Sequence, residues 1–206
     1  MKQKKCKVCQ ELFVPVQFAQ SCCNYICAIT YAKNLKKQKE QREWNAEKKI
    51  IKDKIKTLSE YAKELQKEVN TIVRLIDKGT QCISTLKTLN DKYDAGHFYS
   101  VGGNPALRFH LDNIHAQSVY ANQYLSGDQM NYLNGLSEVY GLEYKDYVIN
   151  LKGRYKVLKL TIEEMKDKIT ISRGIVKWLK LQDRSFSDKK RIELRKELNL
   201  KLGIYN

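Results

Sequence analysis

The sequence predicts an α+β protein that is mainly helical. Three observations lead there. The 206 residues contain only 2 prolines, apolar residues recur at helical spacing through both flanks of the chain, and one central stretch breaks that periodicity. The expected order is a cysteine knuckle over residues 1–32, a long basic coiled-coil-like helix over 33–78, a ββα unit over 79–150 and a basic helical tail over 151–206.

The knuckle rests on Cys6-x-x-Cys9 and Cys23-x-x-x-Cys27, two short chelating pairs about a dozen residues apart. Such spacing lets tight turns present four thiolates to one tetrahedral zinc ion. Cys22 competes with Cys23 for the third position. Cys23 is favoured because an x3 pair closes one helical turn with Cys27. Four thiolates leave no coordination position for a reactive water, so the expected Zn²⁺, one per chain, is structural.

From Trp44 the chain reads as one helix. Ile51, Ile55, Leu58, Ala62, Leu65, Val69, Ile72 and Ile76 alternate at spacings of four and three, which makes an a/d seam. A helix with one apolar stripe must bury it. Two partners remain open: the segment carrying Leu158, Ile162, Met165, Ile169, Val176 and Leu179 in the same chain, or a second copy of the seam in a homodimer. Farther on, Gly174 weakens the first tail helix locally. Ser187 and Asp188 begin a last helix that carries Ile192, Leu194 and Leu198 and ends at Gly203. Its basic face serves phosphate contact or packing.

The chain carries a formal net charge of +15, unevenly distributed. Residues 79–150 hold four Lys/Arg against seven Asp/Glu, a net of −3, while the rest of the chain is net +18. A basic surface is the electrostatic footprint of a polyanion binder such as DNA. An acidic island within it suits a divalent cation acting on phosphates. The first residues contain no apolar signal-peptide core, and no apolar run reaches membrane-spanning length. The expectation is a soluble protein in the cytoplasm, with no membrane partner.

The central stretch reads as follows. Tyr93 to Ser100 has strand character around Gly96-His97, and Val101-Gly102-Gly103-Asn104-Pro105 is a turn. Leu107 to His110 reads as a second short strand. Asp112 or Asn113 then caps a helix from Ile114 to about Leu125, ended by Gly127. All three histidines of the chain, His97, His110 and His115, lie in this unit. A His closing the first strand, an Asn before the helix and an Asn within it is the arrangement of the HNH, or ββα-metal, nucleases; here these are His97, Asn113 and Asn122. Neutral His97 would take a proton from an attacking water. Asn113 would bond backbone near His97 and fix its ring. Asn122 would offer its carbonyl oxygen to Mg²⁺ or Mn²⁺, hard cations that prefer oxygen. Arg108 is placed to hold a phosphate.

The run AGH, NPALRF, DNIHAQ, NQYLSG within residues 95–127 resembles the NinG (Rap) family of phage recombination endonucleases. The order of parts agrees as well, over roughly residues 1–150. The resemblance implies nicking of branched intermediates, D-loops and four-way junctions, and it puts His97, Asn113 and Asn122 on the family's catalytic pattern. Gly96 stands where many HNH sites carry an acid, which leaves Asp94 and His115 as the candidates for the second metal ligand. The family's second zinc clamp, two C-x-x-C pairs, here reads Cys82-Ile-Ser-Thr85 and Ser118-Val-Tyr-Ala121. A packed, metal-free version of that clamp is expected, with the tail helices compensating.

A metal-dependent endonuclease is the leading expectation. The second is a catalytically silent, zinc-containing nucleic-acid-binding module, to which the missing thiols point. The third is a helical scaffold assembled through residues 51–76, which leaves the histidine cluster unused.

Overall fold

The computed structural model describes residues 2–182 and 184–205, and the side chains of all of these except 52–54. The chain is mainly α with a few short strands, and it divides into two compact units, Met1–Lys56 and Thr57–Asn206.

In the first unit, strands β1 (Lys4–Lys5) and β2 (Leu12–Phe13) pair antiparallel, Lys4 opposite Phe13. The turn between them carries Cys6 and Cys9, with Gln10 in the left-handed region (φ 64°). Helix α1 (Tyr25–Ile55) follows, begun by Asn24, whose side chain accepts the Cys27 N–H at 2.9 Å. The expected helix start at Trp44 is therefore corrected to Tyr25. The signal was the N-capping Asn24, which satisfies one of the donors that every helix start exposes.

The expected single helix through residue 76 is also corrected. It ends at Ile55, and α2 (Leu58–Ile76) starts afresh. Thr57 and Glu60 form a capping box, the Thr57 Oγ accepting from Glu60 N–H and the Glu60 carboxylate accepting from Thr57 N–H. A Thr-x-x-Glu pair inside a periodic run is a start signal that apolar spacing alone does not reveal.

The second unit answers the question of what covers the seam. Leu65, Val69, Ile72, Val73 and Ile76 of α2 are wholly buried, in one cluster with Met165, Ile169, Ile175, Val176 and Leu179 of α5 (Ile162–Gln182). The partner is thus within the chain for residues 62–76. Ile51, Ile55 and Leu58 stay exposed. Helix α6 (Asp188–Leu202) begins at Ser187, whose Oγ accepts from Lys190 N–H, and ends at Gly203 in the left-handed region. Its buried Leu194, Leu198 and Leu202 join the same cluster, so packing is one of its jobs.

Between α2 and these last helices lies a two-stranded hairpin, β3 (Asp94–His97) and β4 (Ile114–Gln117), with His97 opposite Ile114 and Gly96 opposite His115. Two expectations fail here. Residues 107–110 form no strand; Pro105–Leu107 is a 3-10 turn, as a proline at the first position of a turn favours. Residues 114–117 are strand rather than helix, and the helical piece that follows is a five-residue π-turn, Tyr120–Tyr124. Ile114 to Gln117 is fully buried on both faces, and a strand buried on both sides loses the alternation by which strands are recognised.

Helices α3 (Gln129–Tyr140) and α4 (Leu142–Arg154) form a second cluster around Phe98, Leu107, Tyr132, Leu136, Tyr144, Val148 and Leu151. A Cβ on Gly135 would collide with the Ile83 carbonyl, so only glycine lets α3 lie this close to that backbone.

Candidate functional site

The thiols of Cys6, Cys9, Cys23 and Cys27 all lie within 4.8 Å of one another. The Cys9–Cys23 and Cys23–Cys27 sulfurs are 3.5 and 3.8 Å apart. Metal–sulfur bonds of about 2.3 Å at tetrahedral angles put sulfurs about 3.8 Å apart, so the donor set fits a zinc ion. Cys22 is buried and stands outside this group. Burial pushes the Cys6 thiol up, but the N–H groups of Val8, Cys23 and Cys9 outweigh it and bring it down to about 6. Its neighbours' thiols, Cys9 foremost, push Cys23 up to about 12. Crowded thiols that resist joint ionisation are what a cation in their midst would stabilise as thiolates.

His97 closes β3 and is half-buried. Its Nε2 lies 3.0 Å from the Arg108 carbonyl oxygen. A carbonyl only accepts, so Nε2 carries the proton and Nδ1 keeps the lone pair. The Gln66 amide nitrogen, 3.4 Å from Nε2, then makes no hydrogen bond to it, being itself a donor. Burial holds the imidazole below the ordinary 6.5, so His97 is neutral at pH 7. Asn113 is fully buried. Its Oδ1 accepts Tyr99 N–H at 2.8 Å and its Nδ2 donates to the Tyr99 carbonyl at 3.0 Å and the Leu107 carbonyl at 3.2 Å. It ties the end of β3 to the 105–113 segment, two residues from His97. Arg108 donates through Nε to Gln66 Oε1 at 3.1 Å, and its guanidinium lies over the Phe109 ring.

Asp94 opens the same strand. Its Oδ2 accepts from Asn122 Nδ2 at 2.9 Å and Gln123 Nε2 at 2.8 Å. Residues three apart in a strand face opposite ways, so Asp94 with Asn122 forms one group and His97 with Arg108 and Asn113 another. Asp94 and Asn122 are each half-buried, with the Asn122 amide turning its N–H group toward the carboxylate.

His115 stands elsewhere, deep in the unit. Its Nδ1 lies 2.9 Å from the Tyr132 hydroxyl and its Nε2 3.1 Å from the Tyr144 hydroxyl. Tyr132 also reaches the Gly96 carbonyl at 3.0 Å, and Tyr144 reaches Asp112 Oδ1 at 2.9 Å. These hydrogen bonds need one proton more than two hydroxyls and a neutral imidazole carry. Burial pushes the Asp112 carboxyl up and holds the His115 imidazole well below its ordinary range, so the ring itself does not supply it. With both ring nitrogens facing tyrosine hydroxyls, His115 is a strut beneath β3.

Sequence reading missed the group beneath the hairpin. Arg195, fully buried, donates through one nitrogen to both oxygens of Asp77 at 2.8 Å, and Asp77 also accepts Ala116 N–H. Asn199 donates to Asp112 at 2.8 Å. An arginine and an asparagine four apart on a lysine-rich helix gave no sign of this. At the expected metal-free clamp, Cys82 Sγ accepts Ser118 N–H at 3.2 Å, and Ser118 Oγ accepts Ala121 N–H at 3.2 Å.

Residues 1–182 match the family model described as bacteriophage lambda NinG protein, farther than the 150 residues expected. The chain is 34% identical to the ninG protein of Enterobacteria phage H19B over 181 residues, covering 80% of this chain and 87% of that one. It is 32% identical to the ninG proteins of Escherichia phage lambda and Salmonella phage P22, each over 183 residues with the same two coverages. No solved structure matches. The chain belongs to the bacteriophage lambda NinG protein family.

Proposed function

We propose that the protein is a metal-dependent DNA endonuclease that cuts branched recombination intermediates, D-loops and four-way junctions, with His97 as general base. One observation carries the reading: a neutral, half-buried imidazole whose Nε2 is spent on a backbone carbonyl, so that Nδ1 is left as an oriented base. Nδ1 would take a proton from water as the water oxygen bonds to phosphorus and the bond to the departing sugar oxygen breaks. Asn113 holds the strand end so that the ring keeps its direction. Among the described residues the Arg108 Nη groups make no hydrogen bond, which suits a phosphate oxygen. Asp94 and Asn122 would hold Mg²⁺ or Mn²⁺, and the ion, when bound, supplies charge stabilisation at the phosphoryl and departing oxygens. The cysteine knuckle would hold one structural Zn²⁺ per chain. The branched-DNA substrate rests on the resemblance described for residues 95–127, and the basic flanks supply phosphate attraction.

A silent nucleic-acid-binding module is the second reading. It is favoured by the Asp94 carboxylate being satisfied by two amide groups and by the separation of Asp94–Asn122 from His97 on the strand. Cleavage of a labelled four-way junction and a matched duplex in Mg²⁺ or Mn²⁺ decides between them. Junction cutting lost in EDTA and in His97→Ala is expected. Tight binding with no cutting in either metal would replace the first reading with the second.

A further inference from the structure

The family match stops at residue 182, yet the chain beyond it reaches back to the candidate base. The Tyr205 hydroxyl donates to the Ala106 carbonyl at 2.9 Å and accepts Phe109 N–H at 3.0 Å. Asn199 Oδ1 accepts Leu111 N–H at 3.0 Å, and Arg195 donates to the Leu111 and Ile114 carbonyls, both at 3.3 Å. Between the two points that Tyr205 grips lies Arg108, whose carbonyl accepts from His97. The Tyr205 ring is itself wedged against His110 and Tyr155, with centroids 4.8 and 5.0 Å away, so its hydroxyl has a fixed position.

The consequence is mechanical. A free imidazole exchanges its proton between Nδ1 and Nε2, and which nitrogen holds it is decided by the partner on the other side. Here that partner is a backbone carbonyl in a segment with no sheet ladder of its own, so something must hold the carbonyl still. We propose that Tyr205 is a positioning residue: by tying Ala106 to Phe109 across Arg108 it fixes the Arg108 carbonyl, and through it the tautomer and direction of His97. The effect on cleavage rests on His97 being the base; the effect on the ring does not.

The test uses the full chain with ¹⁵N-labelled histidines and long-range proton–nitrogen spectra, which are simple because there are 3 histidines. His97 is assigned by its loss in His97→Gln. Wild type should show His97 in the Nε2–H form alone. Tyr205→Phe keeps the ring and removes the hydroxyl; His97 should then show a measurable Nδ1–H fraction while His115 is unchanged. Junction cleavage should fall about tenfold to a hundredfold in kcat with KM preserved, as expected for a base moved by a fraction of an ångström. Ile175→Ala, which removes a fully buried α5 side chain thirty residues before Tyr205, controls for lost stability and should keep the wild-type tautomer. An unchanged His97 in Tyr205→Phe, or an equal change in Ile175→Ala, overturns the proposal. If wild type binds junctions but cuts none, the endonuclease reading fails, and the spectra still decide the role of Tyr205.

Discussion

The two units are held together by different means. In the first, among the described residues, the buried apolar side chains are Cys6, Pro15 and Cys22, while Val16, Phe18, Trp44 and Ile55 are 82, 92, 60 and 73% exposed. In the second, two apolar clusters close around a hairpin whose polar groups pair with one another. A unit too small to build a core needs ligation or a staple, and the four clustered thiols could hold one. The second unit keeps just one thiol of the clamp pattern, Cys82, and has instead Arg195 and Asn199 beneath the strands.

Removing zinc should break this contrast most sharply. Chelation, or Cys9→Ser, should unfold residues 2–24, since a structural zinc site is worth about 10 kcal/mol or more, and leave the second unit's melting unchanged. Metal analysis should give one zinc per chain. Two ions, or loss of the second unit on chelation, would mean that both units depend on metal.

Next in size is the buried ion pair. Arg195→Ala leaves the Asp77 charge buried without its counter-ion, which costs about 3–5 kcal/mol. Urea unfolding of the second unit reads this directly, and a loss under about 1 kcal/mol would show that α6 is no substitute for a clamp.

The broken seam gives a paired test. Leu65→Ala, at a fully buried position, should cost about 2–5 kcal/mol. Ile55→Ala, seven tenths exposed, should stay within about 0.5 kcal/mol. A large effect at Ile55, or a changed elution volume for Ile55→Lys, would assign that face to a second copy.

Acid tests the buried histidines, whose effect Asp112 partly cancels. Burial lowers His110 to about 4 and His115 well below 6.5, so both are neutral in the folded chain. The unfolded chain takes up these protons first, so this stability is complete above about 6.5 and is lost as pH falls toward 4. The slope is about 1.4 kcal/mol per pH unit for each histidine. Asp112, raised by burial, works in the opposite sense and offsets part of it. Urea unfolding at pH 7.5 and 5, with chelator present to keep the thiols out, measures the balance. Equal stability at both would mean that these rings are protonated in place.

The sequence by itself determined what depends on near neighbours. Cys6, Cys9, Cys23 and Cys27 were legible because chelating pairs are short, and Ser187 and Gly203 because caps are local. The apolar faces of α2 and α5 were legible because helical period survives one-sided burial. His97, Asn113 and Asn122 stood out as residue types in a known order. Tertiary structure alone decided that Ile114–Gln117 is a strand, since full burial erased its alternation. It decided too that α5 rather than a second copy covers residues 62–76. The separation of Asp94 from His97, the burial of His115 between two tyrosines, and the reach of Arg195, Asn199 and Tyr205 to the 106–114 segment were likewise beyond local pattern. The contacts of Arg195, Asn199 and Tyr205 with that segment join residues 81 to 99 positions apart, and a single buried polar pair leaves no period for a sequence to display.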